Sequence, residues 1–241
     1  EADTLALAEH FRLGGAPERA VTFFRRAAEQ ALAGYDLSAA IERVRTALDC
    51  APSESDTAEL YLLVTHAHYW RGEHDQAIRC AREARARLPA GSPGWFWALG
   101  DLCSSAVRTD RIDVYTWCED RVLEQHVAEG TDPTAEIRCQ ARCIAGAMKD
   151  GRRAGVERLK ARVDAIESGA SELPVLARAY GHHLRAAAAY YFGDAATHLA
   201  ETSASIGAFD AAGDSRNACN ARLNVGYQLM AGLTARVRIV E

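Results

Sequence analysis

Proline is scarce in this 241-residue chain, with only six, and most of them stand at the edges of apolar periodic runs. A proline inside a helix removes a hydrogen bond and clashes with the preceding turn, so this placement leaves long helices open. Aromatic residues amount to 7%, and alanine fills much of the difference. Alanine is the best helix former and lets helices approach closely. Lysine is nearly missing, since Lys149 and Lys160 are the only two among 28 basic residues. The formal charge is −5, and no basic block of the kind that tracks a phosphate backbone occurs. Nucleic acid is therefore excluded as an expected partner. No run reaches the roughly 18 apolar residues that span a bilayer, so no membrane association is expected either.

Catalytic and nucleotide-binding signatures are missing too. There is no G-x-x-x-x-G-K-[ST] loop, no G-x-G-x-x-G, no H-R-D or D-F-G, no G-x-S-x-G and no H-E-x-x-H. Carboxylates are spread as on solvated helix faces, without the pairing in a dry cleft that acid–base work needs. No catalytic residue, cofactor or metal is assigned, and the chain is expected not to be an enzyme. The seven cysteines, Cys50, Cys80, Cys103, Cys118, Cys139, Cys143 and Cys219, are odd in number and lie inside apolar runs. They suit small buried hydrophobes in a reducing compartment, and a cytoplasmic location is expected. Cys139 and Cys143 lie one helical turn apart and would supply two of the four ligands of a zinc site. Packing of small residues against a neighbouring helix is the preferred account of both. His66 with His68, and His182 with His183, diverge around their helices and lack obvious co-ligands. No signal peptide is recognisable at the start. The opening Glu1-Ala2-Asp3 lacks an initiator Met, which points to a piece of a larger protein.

What is present is helix after helix. Hydrophobic residues make up 49%, with apolar periodicity interrupted by Gly, Pro and Asp. Leu5, Ala8 and Leu13 mark a first helix ended by Gly14-Gly15, and Pro17 opens the next, to about Ala33. Gly34-Tyr35-Asp36 breaks the chain before a third helix that ends by Pro52. Further helices are predicted at roughly 56–71, 74–88, 93–108, 111–128, 133–149, 152–168, 173–192, 194–212 and 215–231. Val237 to Val240 reads as a frayed end.

An internal repeat lies over this pattern. Ala8, Phe11, Gly15, Ala20, Phe24 and Ala27 form one copy, and Ala28, Ala40, Val44, Ala47 and Pro52 an overlapping one. Gly72, Ala77, Ala81, Ala84 and Pro89 form a third. Thr109-Asp110, Gly151, Gly193 and Gly232 continue the beat, at intervals longer than about 34 residues. The order of small, aromatic, glycine and proline marks resembles the tetratricopeptide repeat, a unit of two antiparallel helices. The resemblance implies an all-α fold, an α-solenoid of about twelve helices in about six hairpins. A single array over 1–241 is expected, more regular over 1–89 and with degenerate, longer repeats over 90–241. The opening stretch, with His10-Phe11 in "AEHF" followed by "RAAEQAL", also resembles the segment after the ATPase module of bacterial STAND-class signalling proteins. In serine/threonine kinases of myxobacterial type, a kinase domain precedes such an ATPase and a helical tail. The parent protein would then be a kinase or ATPase, while this chain would be neither.

In the tetratricopeptide family the first helix of each unit lines a concave groove. Position by position, the resemblance nominates Glu59, Leu62, His66, Tyr69 and Trp70, then Phe96, Leu99, Cys103, Ala106 and Val107. It next nominates Arg138, Ala141, Ala145, Met148 and Lys149 with Arg142 alongside, then Tyr180, His183, Ala187, Tyr190 and Tyr191, and finally Arg222. Arg138 and Arg142 are one turn apart and Lys149 lies further along the same helix. With Tyr69, Trp70, Tyr190 and Tyr191 they suggest a basic centre flanked by aromatics, suited to an acidic peptide or partner loop. No Asn stands at the matching inner positions, which disfavours the family's carboxylate clamp for chaperone termini. The leading expectation is a protein- or peptide-binding scaffold. The alternatives are a regulatory module sensing a small molecule or short peptide, and a self-association module.

Overall fold

The computed structural model describes residues 2–226. Eleven helices lie within that span: α1 (Ala2–Leu13), α2 (Pro17–Ala33), α3 (Leu37–Leu48), α4 (Glu54–Arg71), α5 (His74–Arg87), α6 (Pro93–Arg108), α7 (Ile112–Glu124), α8 (Thr134–Lys149), α9 (Arg153–Gly169), α10 (Val175–Phe192) and α11 (Ala195–Ala211). A twelfth, α12, begins at 215 and is described as far as 226. The described residues contain no strand, and none of their helices is long and apolar enough to cross a membrane. The expected helix end near 231, the turn at Gly232 and the Val237–Val240 tail lie outside the described residues.

The helices follow the apolar periodicity closely except at α7, which stops at Glu124 instead of near 128. Gln125 is extended, at φ −117 and ψ 152. The carbonyl oxygen of His126 then packs against Gly91, where a Cβ would stand 2.8 Å from it. That close approach holds the segment away from a helical path. Asp132 Oδ1 accepts from the backbone N–H (2.8 Å) and hydroxyl (2.5 Å) of Thr134 at the start of α8.

One turn design recurs along the chain. After α2, α4, α6, α8 and α10 comes a residue of positive φ: Tyr35 (64), Gly72 (78), Asp110 (55), Gly151 (66) and Gly193 (80). In each turn the following N–H reaches back across the helix end. Asp36 donates to Ala31 (2.8 Å), Glu73 to His68 (2.9 Å), Arg111 to Ala106 (2.9 Å), Arg152 to Ala147 (2.8 Å) and Asp194 to Ala189 (2.9 Å). These bonds satisfy carbonyls that the helix end would otherwise orphan. The left-handed residue is what permits them, and glycine reaches that conformation at least cost.

The chain divides after Glu129 into two compact units. The division does not fall at 89, where the repeat marks weaken.

In the amino-terminal unit each helix packs on the next, and α2, α4 and α6 also touch one another in a row. The odd-numbered helices pack principally on their even-numbered neighbours. Alanines make the close crossings: Ala31 of α2, Ala40 of α3 and Ala67 of α4 pack together. Phe24 fills the larger gap, buried with Ala8, Val21, Val44, Leu60 and Val64.

In the carboxy-terminal unit α8 packs on α9 and α10, and α10 packs on α11. Val156, Leu159, Val163 and Leu184 are buried there. Charged side chains bind these helices together as well. Arg162 of α9 donates to Glu136 of α8 through Nε (2.9 Å) and Nη2 (2.6 Å). Arg185 of α10 donates to Glu167 of α9 (2.5 Å) and Glu201 of α11 (3.2 Å). Gly181 leaves room for the Glu167 carboxylate, which lies where a Cβ would be.

Candidate functional site

The row α2, α4 and α6 encloses a cleft of about 450 Å³ in the amino-terminal unit, lined by Arg25, Glu29, Leu32, Glu59, Leu62, Leu63, His66, Trp97 and Asp101. These residues correspond when each helix is counted back from its left-handed turn residue. Arg25 then matches Leu62, Glu29 matches His66, Glu59 matches Trp97 and Leu63 matches Asp101. Repeated helix geometry thus delivers one face of three helices to a common space.

The cleft has an apolar wall and an ordered polar part. Leu32, Leu62, Leu63 and Trp97 supply the wall. Arg25 is shared by two carboxylates: it pairs closely with Glu59 and lies 3.8 Å from Glu29. The Trp70 indole N–H donates to His66 Nε2 at 3.0 Å. An indole nitrogen only donates, so Nε2 is the accepting nitrogen and the ring proton of the neutral imidazole sits on Nδ1. Nδ1 faces Asp101 Oδ2 at 3.5 Å. Asp101 itself is 3% exposed. The Trp97 ring meets the His66 ring edge-on, with centroids 6.5 Å apart.

The positional expectations fare differently in the two units. Glu59, Leu62 and His66 line the cleft. Tyr69 and Trp70 lie just beyond, half-buried, with Tyr69 edge-on to both Trp70 and His74. Phe96 does not face the groove; it is 0% exposed, and Leu99, Cys103 and Ala106 are buried with it. The cause is register. The left-handed residue after α6 is Asp110, while the sequence reading anchored the repeat on Thr109. One residue rotates a helix face by about 100°, which exchanges core for groove. Trp97 and Asp101 are the residues that α6 contributes to the cleft, and Arg25, Glu29 and Leu32 those of α2. The signal for α2 was present in Gly34-Tyr35-Asp36, but no glycine occupies the left-handed position there.

In the carboxy-terminal unit a cavity of about 290 Å³ is lined by Ala141, Ala145, Met148, His183, Ala187 and Tyr190 among others. These are the expected inner positions of α8 and α10. Burial, helped by the Arg142 charge, pushes the His183 imidazole down to about 4. Tyr190 is 56% exposed and tilts over the His198 ring at 5.5 Å. Tyr191 is half-buried against Phe192. The expected basic stripe is not an exposed one, because Arg138 is 0% exposed, Arg142 half-buried and only Lys149 open to solvent. Arg138 instead hydrogen-bonds Tyr180, which is buried as well. Asn217 Nδ2 of α12 donates to the same phenol oxygen at 3.2 Å. Burial pushes the Tyr180 phenol up, against the lowering charges of Arg138 and Arg142. Arg222 is exposed and pairs with Asp210 at 2.5 Å.

Among the described residues no three His, Cys, Asp or Glu side chains converge as a metal ion would require. Cys139 and Cys143 of α8 are buried thiols that form no disulfide. Comparison of the chain with protein-family models, with curated proteins and with solved structures returned no match.

Proposed function

We propose that this chain is a non-catalytic binding module built as a tetratricopeptide-like α-solenoid, whose inner helix row takes a protein or peptide segment. One observation carries the reading. Equivalent positions of neighbouring helices, shared between α2 and α4 and between α4 and α6, converge on a single cleft with an apolar wall and a polar rim, the composition of ligand sites. Its volume lies within the range of about 300–1,000 Å³ found for such sites. The favoured setting is the cytoplasmic regulatory tail of a bacterial signalling ATPase or serine/threonine kinase, on the resemblance of "AEHF" and "RAAEQAL". Recovery of the flanking coding sequence tests the setting, which falls if no P-loop or kinase motif lies upstream.

The binding role is tested by titrating peptides selected against the chain into a Leu63→Asp, Trp97→Ala double variant, with helicity checked by circular dichroism. Binding that persists unchanged in a folded variant would sink the assignment. A second reading rests on the alanine-lined cavity of the carboxy-terminal unit, which suits a small apolar molecule. A thermal-shift survey with small metabolites tests it, since a ligand bound only by the fold raises the melting temperature. No shift with any compound in the set would remove that reading.

A further inference from the structure

The charges around the amino-terminal cleft narrow its ligand. Among the lining side chains, two partly exposed carboxylates, Glu29 and Glu59, stand against a single guanidinium, that of Arg25, while Asp101 is buried beside His66. Glu29 and Glu59 share that one cation. His66 adds no positive charge in the tautomer that accepts the Trp70 proton. The surplus is negative, and it stands beside a hydrocarbon wall that includes Trp97. An indole face next to carboxylates favours a cation, because the ring quadrupole and the carboxylates attract the same charge. Arginine suits this best: its planar guanidinium stacks on aromatic rings and takes carboxylates in a fork, while its stem lies along apolar surface.

We propose that the cleft recognises a basic side chain, arginine or lysine, flanked by aliphatic residues in a bound peptide. The inference rests on the peptide-binding reading above and reverses the acidic partner expected from Arg138, Arg142 and Lys149. Arg138, the first of those three, is buried.

A displayed library of random dodecapeptides, sorted against the wild-type chain and against a Glu29→Gln, Glu59→Gln double variant, tests it. Both glutamates are partly exposed, and glutamine keeps their shape. Circular dichroism and the melting temperature establish that the variant is folded. The expected result is several-fold enrichment of Arg or Lys beside Leu, Ile, Met or Phe on the wild type, lost on the variant. Replacing the selected basic residue by uncharged citrulline should weaken binding roughly tenfold at low salt, and that gap should shrink as salt screens it. Enrichment of Asp or Glu would overturn the proposal. A purely apolar motif, equal on both proteins and indifferent to salt, would also overturn it while leaving peptide binding intact. If no peptide is enriched, the peptide-binding reading and this inference fail together.

Discussion

Acidification should destabilise this protein through one histidine of the carboxy-terminal unit. His183 sits in α10 beside Arg142 of α8 and shares its cavity with His198 of α11. Its imidazole falls from the ordinary 6.5 to about 4 in the fold, because burial and the neighbouring guanidinium oppose a second positive charge. The folded chain therefore binds fewer protons than the unfolded one between those two values. The stabilisation is complete above 6.5 and is lost as pH falls toward 4. The whole shift corresponds to about 3 kcal/mol, of which about 2 kcal/mol is already lost at about pH 5. Urea denaturation at about pH 7.5 and about pH 5, for wild type and His183→Asn, isolates the group from all others that titrate. The wild type should lose about 2 kcal/mol more than the variant over that interval. Equal losses in the two proteins would refute the account of a desolvated, Arg142-opposed imidazole.

Truncating Phe24→Ala, at the centre of the amino-terminal core, should lower the stability of that unit by about 3–5 kcal/mol in chemical denaturation. Tyr35 and Gly72 occupy the same left-handed turn position. Opposite signs are expected in melting experiments, with Tyr35→Gly stabilising by up to about 1 kcal/mol and Gly72→Ala destabilising by a similar amount. Two changes of the same sign would contradict the turn assignment. Gly181→Ala should displace the Glu167 carboxylate from Arg185 and destabilise by about 1–3 kcal/mol. Much of that loss should return in a Gly181→Ala, Glu167→Ala double variant.

Much of the helical architecture was legible in the chain because its determinants are local. Apolar periodicity located the helices, and the glycine at 72, 151 and 193 fixed three of the five turns that follow α2, α4, α6, α8 and α10. The other two turns use Tyr35, which carries no mark of left-handed backbone, and Asp110, which tolerates that conformation but is common elsewhere. Both turns were read, as Gly34-Tyr35-Asp36 and Thr109-Asp110, but no cleft positions were assigned on α2, and anchoring on Thr109 instead of Asp110 displaced the reading of α6 by one residue. Glu59, Leu62 and His66 were found because Gly72 anchors their helix. The early end of α7 was not legible, since it depends on His126 lying against Gly91, a contact remote in sequence.

The basic stripe failed for a different reason, and that reason separates the two units. Arg138 stands at the same inner position of α8 as Glu59 does of α4 and Tyr180 does of α10. Helical spacing fixes which side of a helix a residue occupies, but not what covers that side. In the amino-terminal unit Glu59 keeps much of its surface in water at the mouth of a cleft. In the carboxy-terminal unit Arg138 and Tyr180 are buried and bonded to one another, and Asn217 completes the phenol's partners. A buried guanidinium is costly unless it is paired, and the Arg138–Tyr180 bond restricts how α8 and α10 can pack. The same position, counted from the turn, therefore leaves a charged group at solvent in one unit and buries it between helices in the other. The charges that border an apolar wall and still reach solvent are accordingly those of the α2–α4–α6 row.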